Sequence, residues 1–283
     1  MNPYTLPDAE LERLLLDDAP CGDATTFALG IGERPGRLVM RARYDMTVCG
    51  SEEAVRMGEL RGARAEGPVV ASGSRLAAGE LILTLRGTAA SLHASWKTAQ
   101  TLIEYLSGIA SCAADILAEA RRANPACGVA CTRKNFPGTK AAAMKAVLCA
   151  GASPHRLGLS ETLLVFAEHR AFLPGEAPAD TVRRLRRQWP ERPVVVEVSG
   201  EAEAMRWIEA GADVIQLEKM PLETLARLRA SLPERPGRPR LAAAGGITPA
   251  NAHAHAAAGA DVLVTSAPYF APPRDVAVSL TPD

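Results

Sequence analysis

From about residue 127 onward the chain alternates short, continuously apolar runs with stretches of helical spacing, and this alternation limits the fold more than any other feature. The runs are GVACT, LGLSETLLVF, PVVVEV, DVIQL, RLAAA and DVLVT. Continuous apolar runs suit strands covered on both faces, as in a parallel sheet with helical crossovers. Ser199 is placed to cap a helix ending at Gly211, Pro221 to begin the next, and Thr248-Pro249 to open one that stops at Gly259. EAGADVIQLE (209–218) and AAGADVLVTS (257–266) repeat one helix end, one Gly-Ala-Asp turn and one strand. Stacked β/α units of a barrel repeat in this way, and so do those of an open doubly wound sheet. Six strands point to an incomplete barrel.

The first hundred residues read differently, as α+β. RLVMRARYDMTVCG predicts a strand or a hairpin, Ser51-Glu52-Glu53 starts a short helix through Leu60, and GELILTLRG (79–87) is another strand. SLHASWKTAQTLIEYLSG then places Leu92, Trp96, Ala99, Leu102, Ile103 and Leu106 at helical spacing. This predicts a long helix that ends at Gly108 and bridges two domains. The expected division is 1–110 for the α+β domain, 111–273 for the barrel, and a tail, 274–283, returning to the first domain.

Composition removes several function classes. Lys plus Arg and Asp plus Glu each total 32, so no global field draws the chain to nucleic acid or to an anionic membrane. The N-terminus lacks the basic start and apolar run of a signal peptide, and no stretch reads as membrane-spanning, which predicts a soluble, cytoplasmic protein. Six scattered cysteines without a CxxC pair read as small buried thiols. Anion recognition, if present, must be local.

In a β/α barrel the functional groups sit where strands end. Thr132, Arg133 and Lys134 follow the first strand, His155 and Arg156 precede the second, Glu197 lies on the third, and Glu218 ends the fourth. Gly245-Gly246 follows the fifth strand, and Thr265-Ser266 ends the sixth. Each has a plainer reading: Arg133-Lys134 as a solvated turn, His155-Arg156 as a cap on the helix ending near Gly151, Glu218-Lys219 as a surface ion pair. Glu197, after three valines, would need a buried partner, so a functional role is favoured there. At Gly245-Gly246 backbone can approach a ligand closely just before a helix N-terminus, which suits a phosphate. Cations, carboxylates and a phosphate cradle together suit a sugar phosphate beside a small acid.

These motifs resemble those of the quinolinate phosphoribosyltransferase (nicotinate-nucleotide pyrophosphorylase) family over nearly the whole chain. The resemblance rests on Gly22-Asp23-Ala24-Thr25-Thr26, Leu106-Ser107-Gly108-Ile109-Ala110, Thr132-Arg133-Lys134 with Pro137-Gly138, His155-Arg156-Leu157-Gly158-Leu159, Glu197 and Gly245-Gly246-Ile247. It implies an α/β fold: an incomplete TIM-like α/β barrel with an N-terminal α+β open sandwich, in homodimers or larger homo-oligomers with a shared active site. It implies small-molecule substrates, no nucleic acid and no membrane. Arg133, Lys134, His155 and Arg156 would line the acid pocket, with Thr132, Lys97, Lys140 and Phe166 contributing. Glu197 and Glu218 would face the ribose and Mg²⁺ of phosphoribosyl pyrophosphate, with Lys134 beside them in catalysis. Ala244, Gly245, Gly246, Thr265 and Ser266 would hold the 5-phosphate.

The departures from the family pattern fall on the acid pocket and, more mildly, elsewhere: Glu218 stands where the family has Asp, Ala244 at its small residue before Gly-Gly, and Ser266 where it has Gly. Trp96-Lys97 stands where the family has Glu-Arg, and Phe166 where it has a substrate-binding lysine; Arg and Lys are not equivalent at a bidentate carboxylate site. Losing a lysine from a desolvated dicarboxylate site weakens binding by on the order of a few kcal/mol. The strings Trp-Lys, Arg-Lys-Asn-Phe-Pro-Gly-Thr-Lys and Thr-Ser-Ala-Pro-Tyr are similar to a divergent branch, ModD, associated with molybdenum transport operons. The resemblance therefore implies phosphoribosyl transfer to an acid other than quinolinate. Two alternatives stand beside it. One is quinolinate transfer in NAD biosynthesis, with Lys97, Lys140 and Lys145 restoring charge. The other is non-catalytic binding of an anion or a molybdenum species.

Overall fold

The computed structural model describes residues 4–233 and 237–283. They form two compact units. The first is Met1–Ala114 with Asn135–Gly151 and Pro268–Asp283, and the second is Asp115–Lys134 with Ala152–Ala267. The sequence-based division differs over Asn135–Gly151, which clusters with the first unit although it lies between two strands of the second.

In the first unit, strand β1 (Pro35–Ala42) buries Leu38, Met40 and Ala42 on one face, the period of two that a one-sided sheet requires. Strands β2 (Met46–Thr47), β3 (Arg64–Ala65), β4 (Arg75–Leu76) and β5 (Leu81–Thr88) follow. β1 pairs antiparallel with β5 and with the C-terminal strand Val276–Pro282, while β2 pairs with β4. The stretch from Arg37 to Gly50 is therefore no hairpin. A helix over Ser51–Leu60 packs Ala54 and Met57 into the core beneath the sheet.

The long helix runs over Ala89–Ala123 and does not stop at Gly108. That glycine answers a packing need: a Cβ there would lie 2.5 Å from the Pro272 carbonyl oxygen. Contrary to the sequence reading, this helix is long and apolar enough to cross a membrane by length and composition, with a mean hydropathy of 1.3 over its apolar window. Half of that window is buried, and Leu92, Ala99 and Ile103 sit in the core of the first unit, as in the core helix of a folded domain.

The second unit carries a seven-stranded parallel sheet: β6 (Gly128–Cys131), β7 (Ser153–Pro154), β8 (Leu163–Val165), β9 (Val194–Val198), β10 (Val214–Glu218), β11 (Arg240–Ala244) and β12 (Val262–Thr265). Their order is β7-β6-β12-β11-β10-β9-β8. β7 and β8 form the two edges, so the sheet is an open α/β barrel. β7 is the strand that the sequence reading did not separate, being only two residues long. The repeated Gly-Ala-Asp turn has a shared job: Asp213 accepts from the Val194 amide at 2.7 Å and Asp261 from the Leu241 amide at 2.8 Å. Each carboxylate thus ties a turn to the neighbouring strand. The helix over Glu201–Glu209 has Gly200 at its N-cap, so Ser199 lies one residue too early. Thr248 does cap the helix Pro249–Ala257, in a reciprocal box with Asn251.

Candidate active site

Strand register decides which side chains share the barrel's inner face. Gln216 on β10 lies opposite Glu197 on β9 and Ala242 on β11; two residues on, Glu218 lies opposite Ala244, and Ala244 opposite Val264. Ala130, Ala242, Ala244 and Val264 pack as one small cluster. Alanines on that face leave room, and an open cleft of about 930 Å³ occupies the C-terminal ends of the strands.

Thr132, Arg133, Lys134, His155, Arg156, Phe166, Glu197, Glu218, Ala244, Gly245, Gly246, Thr265 and Ser266 all line this cleft. Lys97 and Lys140 are exposed residues of the first unit and are not among the lining residues. Lys97 stands over the Trp96 ring and donates to Gln100 Oε1 at 3.1 Å. Lys145 is buried in the first unit, with its ammonium 2.5 Å from Glu53 and 2.9 Å from Glu52. It is fully engaged there and restores no charge to the cleft.

The cationic wall is built from loops after β6 and β7. The Thr132 amide donates to Thr265 O at 2.9 Å and the His155 amide to Cys131 O at 2.7 Å, which extends the ladder beyond the strands and fixes both residues. His155 and Arg156 follow β7 instead of capping the helix Lys140–Cys149. Arg156 is only 8% exposed, has no carboxylate partner among the described residues, and lies 5.5 Å above the Phe166 ring. Phe166 in turn stacks on His169, whose Nδ1 accepts from the Phe166 amide at 3.0 Å. Burial, then the Arg133 charge, lowers the Arg156 pKa. Burial followed by Arg156 and Arg133 lowers that of His155 against an opposing interaction with Gln216, and so favours the neutral ring. Arg156 thus holds positive charge at the cleft without a direct carboxylate partner, a condition that favours binding an anion.

Opposite in charge are Glu197 and Glu218. Burial, then the charges of Glu218 and Glu168, raises the Glu197 pKa against a stabilising bond from Gln216 Nε2 to Glu197 Oε2 at 2.6 Å. Arg170 braces the same strand by donating to Glu197 O at 2.8 Å. Among the described residues no group of three His, Cys, Asp or Glu side chains could hold a metal alone. Two carboxylates that repel one another could together meet a divalent cation that keeps most of its ligands from water and substrate.

The glycine loop divides its labour. A Cβ on Gly245 would lie 2.8 Å from Glu218 Oε1 and 2.6 Å from Lys219 Cγ, so this glycine makes room for the end of β10. Gly246, at φ 75°, meets nothing within 4 Å on that side and leaves its backbone open to the cleft. The Thr265 hydroxyl donates to Ile247 O at 2.7 Å and accepts from the Ala267 amide at 3.0 Å. It holds the loop in shape and has no donor left for a phosphate.

Among the polar lining residues that the sequence reading did not place in the site, Lys219 and Gln216 stand out beside Glu168. Lys219 has φ 51°, the one non-glycine residue with positive φ among those described, and its side chain has no ion-pair partner among them. Its conformation costs of order 1 kcal/mol and turns a cation into the cleft, where sequence suggested a surface pair with Glu218. Gln216 is the other; the signal for it was a lone amide inside the apolar run DVIQL.

Residues 23–107 match the quinolinate phosphoribosyl transferase N-terminal domain, and residues 109–279 the C-terminal domain of the same family. A protein of Rhodobacter capsulatus named as a pyrophosphorylase, ModD, is 51% identical over 250 residues, covering 88% of this chain and 95% of its own. An Escherichia coli O127:H6 protein of the same name is 36% identical over 278 residues and 98% of each chain. The solved structure of the nicotinate-nucleotide pyrophosphorylase from Francisella tularensis superposes with a TM-score of 0.87 over 98% of both chains at 22% identity, a likeness of fold. With both domains matched in order around this cleft, the chain belongs to the quinolinate phosphoribosyl transferase family.

Proposed function

We propose that the cleft binds phosphoribosyl pyrophosphate with Mg²⁺ and a small aromatic acid, and that the protein is a ModD-like pyrophosphorylase, a pentosyltransferase releasing pyrophosphate. The reading rests above all on Arg156, a buried guanidinium without a carboxylate partner in the same cleft as Glu197, Glu218 and the open Gly246 backbone. An oxyanion carrier gains nothing from two carboxylates beside its anion, so the combination favours a sugar phosphate with a separate acid.

Arg156 and Arg133 hold the carboxylate of the acid, and neutral His155 can donate one hydrogen bond to it. Phe166 packs an aromatic face where the family pattern has a lysine, which favours an acid with fewer charges than quinolinate. Glu197 and Glu218 face the ribose hydroxyls. Mg²⁺, when bound with the donor, offsets negative charge on the departing pyrophosphate. A bond forms from a ring nitrogen to ribose C1 as the bond from C1 to pyrophosphate breaks, and Lys134 and Lys219 meet the charge that leaves. Gly245, Gly246 and Ser266 cradle the 5-phosphate, held in place by Thr265.

On the family pattern the working form is a homodimer or larger homo-oligomer, with Lys97 acting in a partner's cleft, and the site of action is the cytoplasm. Isothermal titration of phosphoribosyl pyrophosphate with Mg²⁺ into wild type and Glu197→Ala tests the reading. Saturable binding that the variant loses by about tenfold or more is expected. Failure of the wild type to bind would end it.

A further inference from the structure

Gln216 sits at the floor of the cleft, 4% exposed, with an unusual imbalance in its amide. Its Nε2 donates to Glu197 Oε2 at 2.6 Å, which fixes the amide's orientation, because the reverse arrangement would set two acceptors against each other. Its Oε1 is the buried side-chain polar atom that has no hydrogen-bond partner among the described residues. His155 lies near enough to this amide for Gln216 to raise its pKa against the effect of burial, although no hydrogen bond of ordinary geometry reaches Oε1, and a neutral imidazole has a single N–H to give.

A buried carbonyl oxygen without a donor is destabilising, and natural proteins keep few of them without a ligand or a bound water to satisfy them. A carboxylate placed against it would be repelled, since both are acceptors. Glu197 and Glu218 already supply acceptors for the ribose hydroxyls, and Gln216 lines the same cleft as the cationic wall that takes the acid. We infer that Gln216 Oε1 accepts a hydrogen bond from the acid, which is therefore an aromatic carboxylate bearing a ring N–H, hydroxyl or amino group. Quinolinate, with acceptors at both substituents, lacks such a donor. This inference rests on the phosphoribosyl-transfer reading and narrows its acceptor class.

The test measures binding of quinolinate, nicotinate, 6-hydroxynicotinate and 6-aminonicotinate to the full chain, with and without phosphoribosyl pyrophosphate and Mg²⁺. Wild type should favour the hydroxy and amino acids over nicotinate by about tenfold or more, because a site built for a donor rejects an analogue without one. Gln216→Met should reduce that preference to about twofold, the acids being ranked against one another within the same variant. No preference in wild type, or a preference that survives in Gln216→Met, overturns the inference; the wild-type comparison needs no variant to fold. If wild type binds no phosphoribosyl pyrophosphate yet ranks the acids as stated, the transfer reading falls and the donor rule stands.

Discussion

Among the described residues each unit buries one cation, and the two are treated in opposite ways. Lys145 in the first unit is 1% exposed and is gripped by Glu53 at 2.5 Å and Glu52 at 2.9 Å. Glu53 also accepts from the Leu6 amide at 3.0 Å, and Glu52 from the Ser72 amide at 2.8 Å, so the acceptors around Lys145 are themselves tied down. These contacts hold the Glu52 carboxyl at about 2, against the burial that opposes ionisation. Arg156 in the second unit is nearly as buried but faces a ring, another arginine and an open cleft. A closed, satisfied ion cluster serves the fold; an unsatisfied cation is kept in place by the fold for something else.

The largest effect expected from this contrast is at Lys145. Lys145→Met strands two carboxylates, one of them 1% exposed, and should cost about 3–5 kcal/mol in chemical denaturation. Arg156→Met removes a buried charge that no carboxylate offsets, so stability should hold or rise by up to about 1 kcal/mol. The same substitution should weaken binding of the aromatic acid by about tenfold to a hundredfold, read by titration. Equal destabilisation by the two variants would erase the distinction between them.

Sequence made the sheet legible because the runs from GVACT to DVLVT are apolar on both faces, and the Gly-Ala-Asp echo reports a repeated tie between turn and strand. The cleft was legible where a residue type is costly unless used, as at Glu197 after three valines. Lys145 was not: KAAAMKAVLC reads as an alanine-rich helix, and only tertiary contact brings Glu52 and Glu53 to its lysine. Lys219 was hidden for a different reason. A left-handed conformation leaves no mark on composition, and Glu218-Lys219 looks like any solvated pair. Gly108 misled, since a glycine at a helix end and a glycine under a crossing backbone are the same letter.

The smallest effect lies in pH dependence and reports on the same cationic wall. Burial, Arg156 and Arg133 lower the His155 pKa in the folded protein, while the unfolded chain titrates near the ordinary value of 6.5. Below pH 6.5 the unfolded state therefore binds more protons than the folded state, and stability falls as pH falls toward the folded pKa. Glu197 has the opposite slope, because its folded pKa is raised: the folded state holds its proton longer, and stability falls as pH rises through that value. The two partly cancel in a raw profile. Thermal midpoints of wild type minus His155→Gln, taken from pH 7.5 down to pH 5, isolate the histidine and should turn downward below about pH 6.5. In an Arg156→Met background one repelling charge is gone, the His155 pKa moves back toward its ordinary value, and the turn should become shallower. An unchanged slope there would mean that desolvation and the Arg133 charge govern His155 and that the Arg156 charge is spent elsewhere.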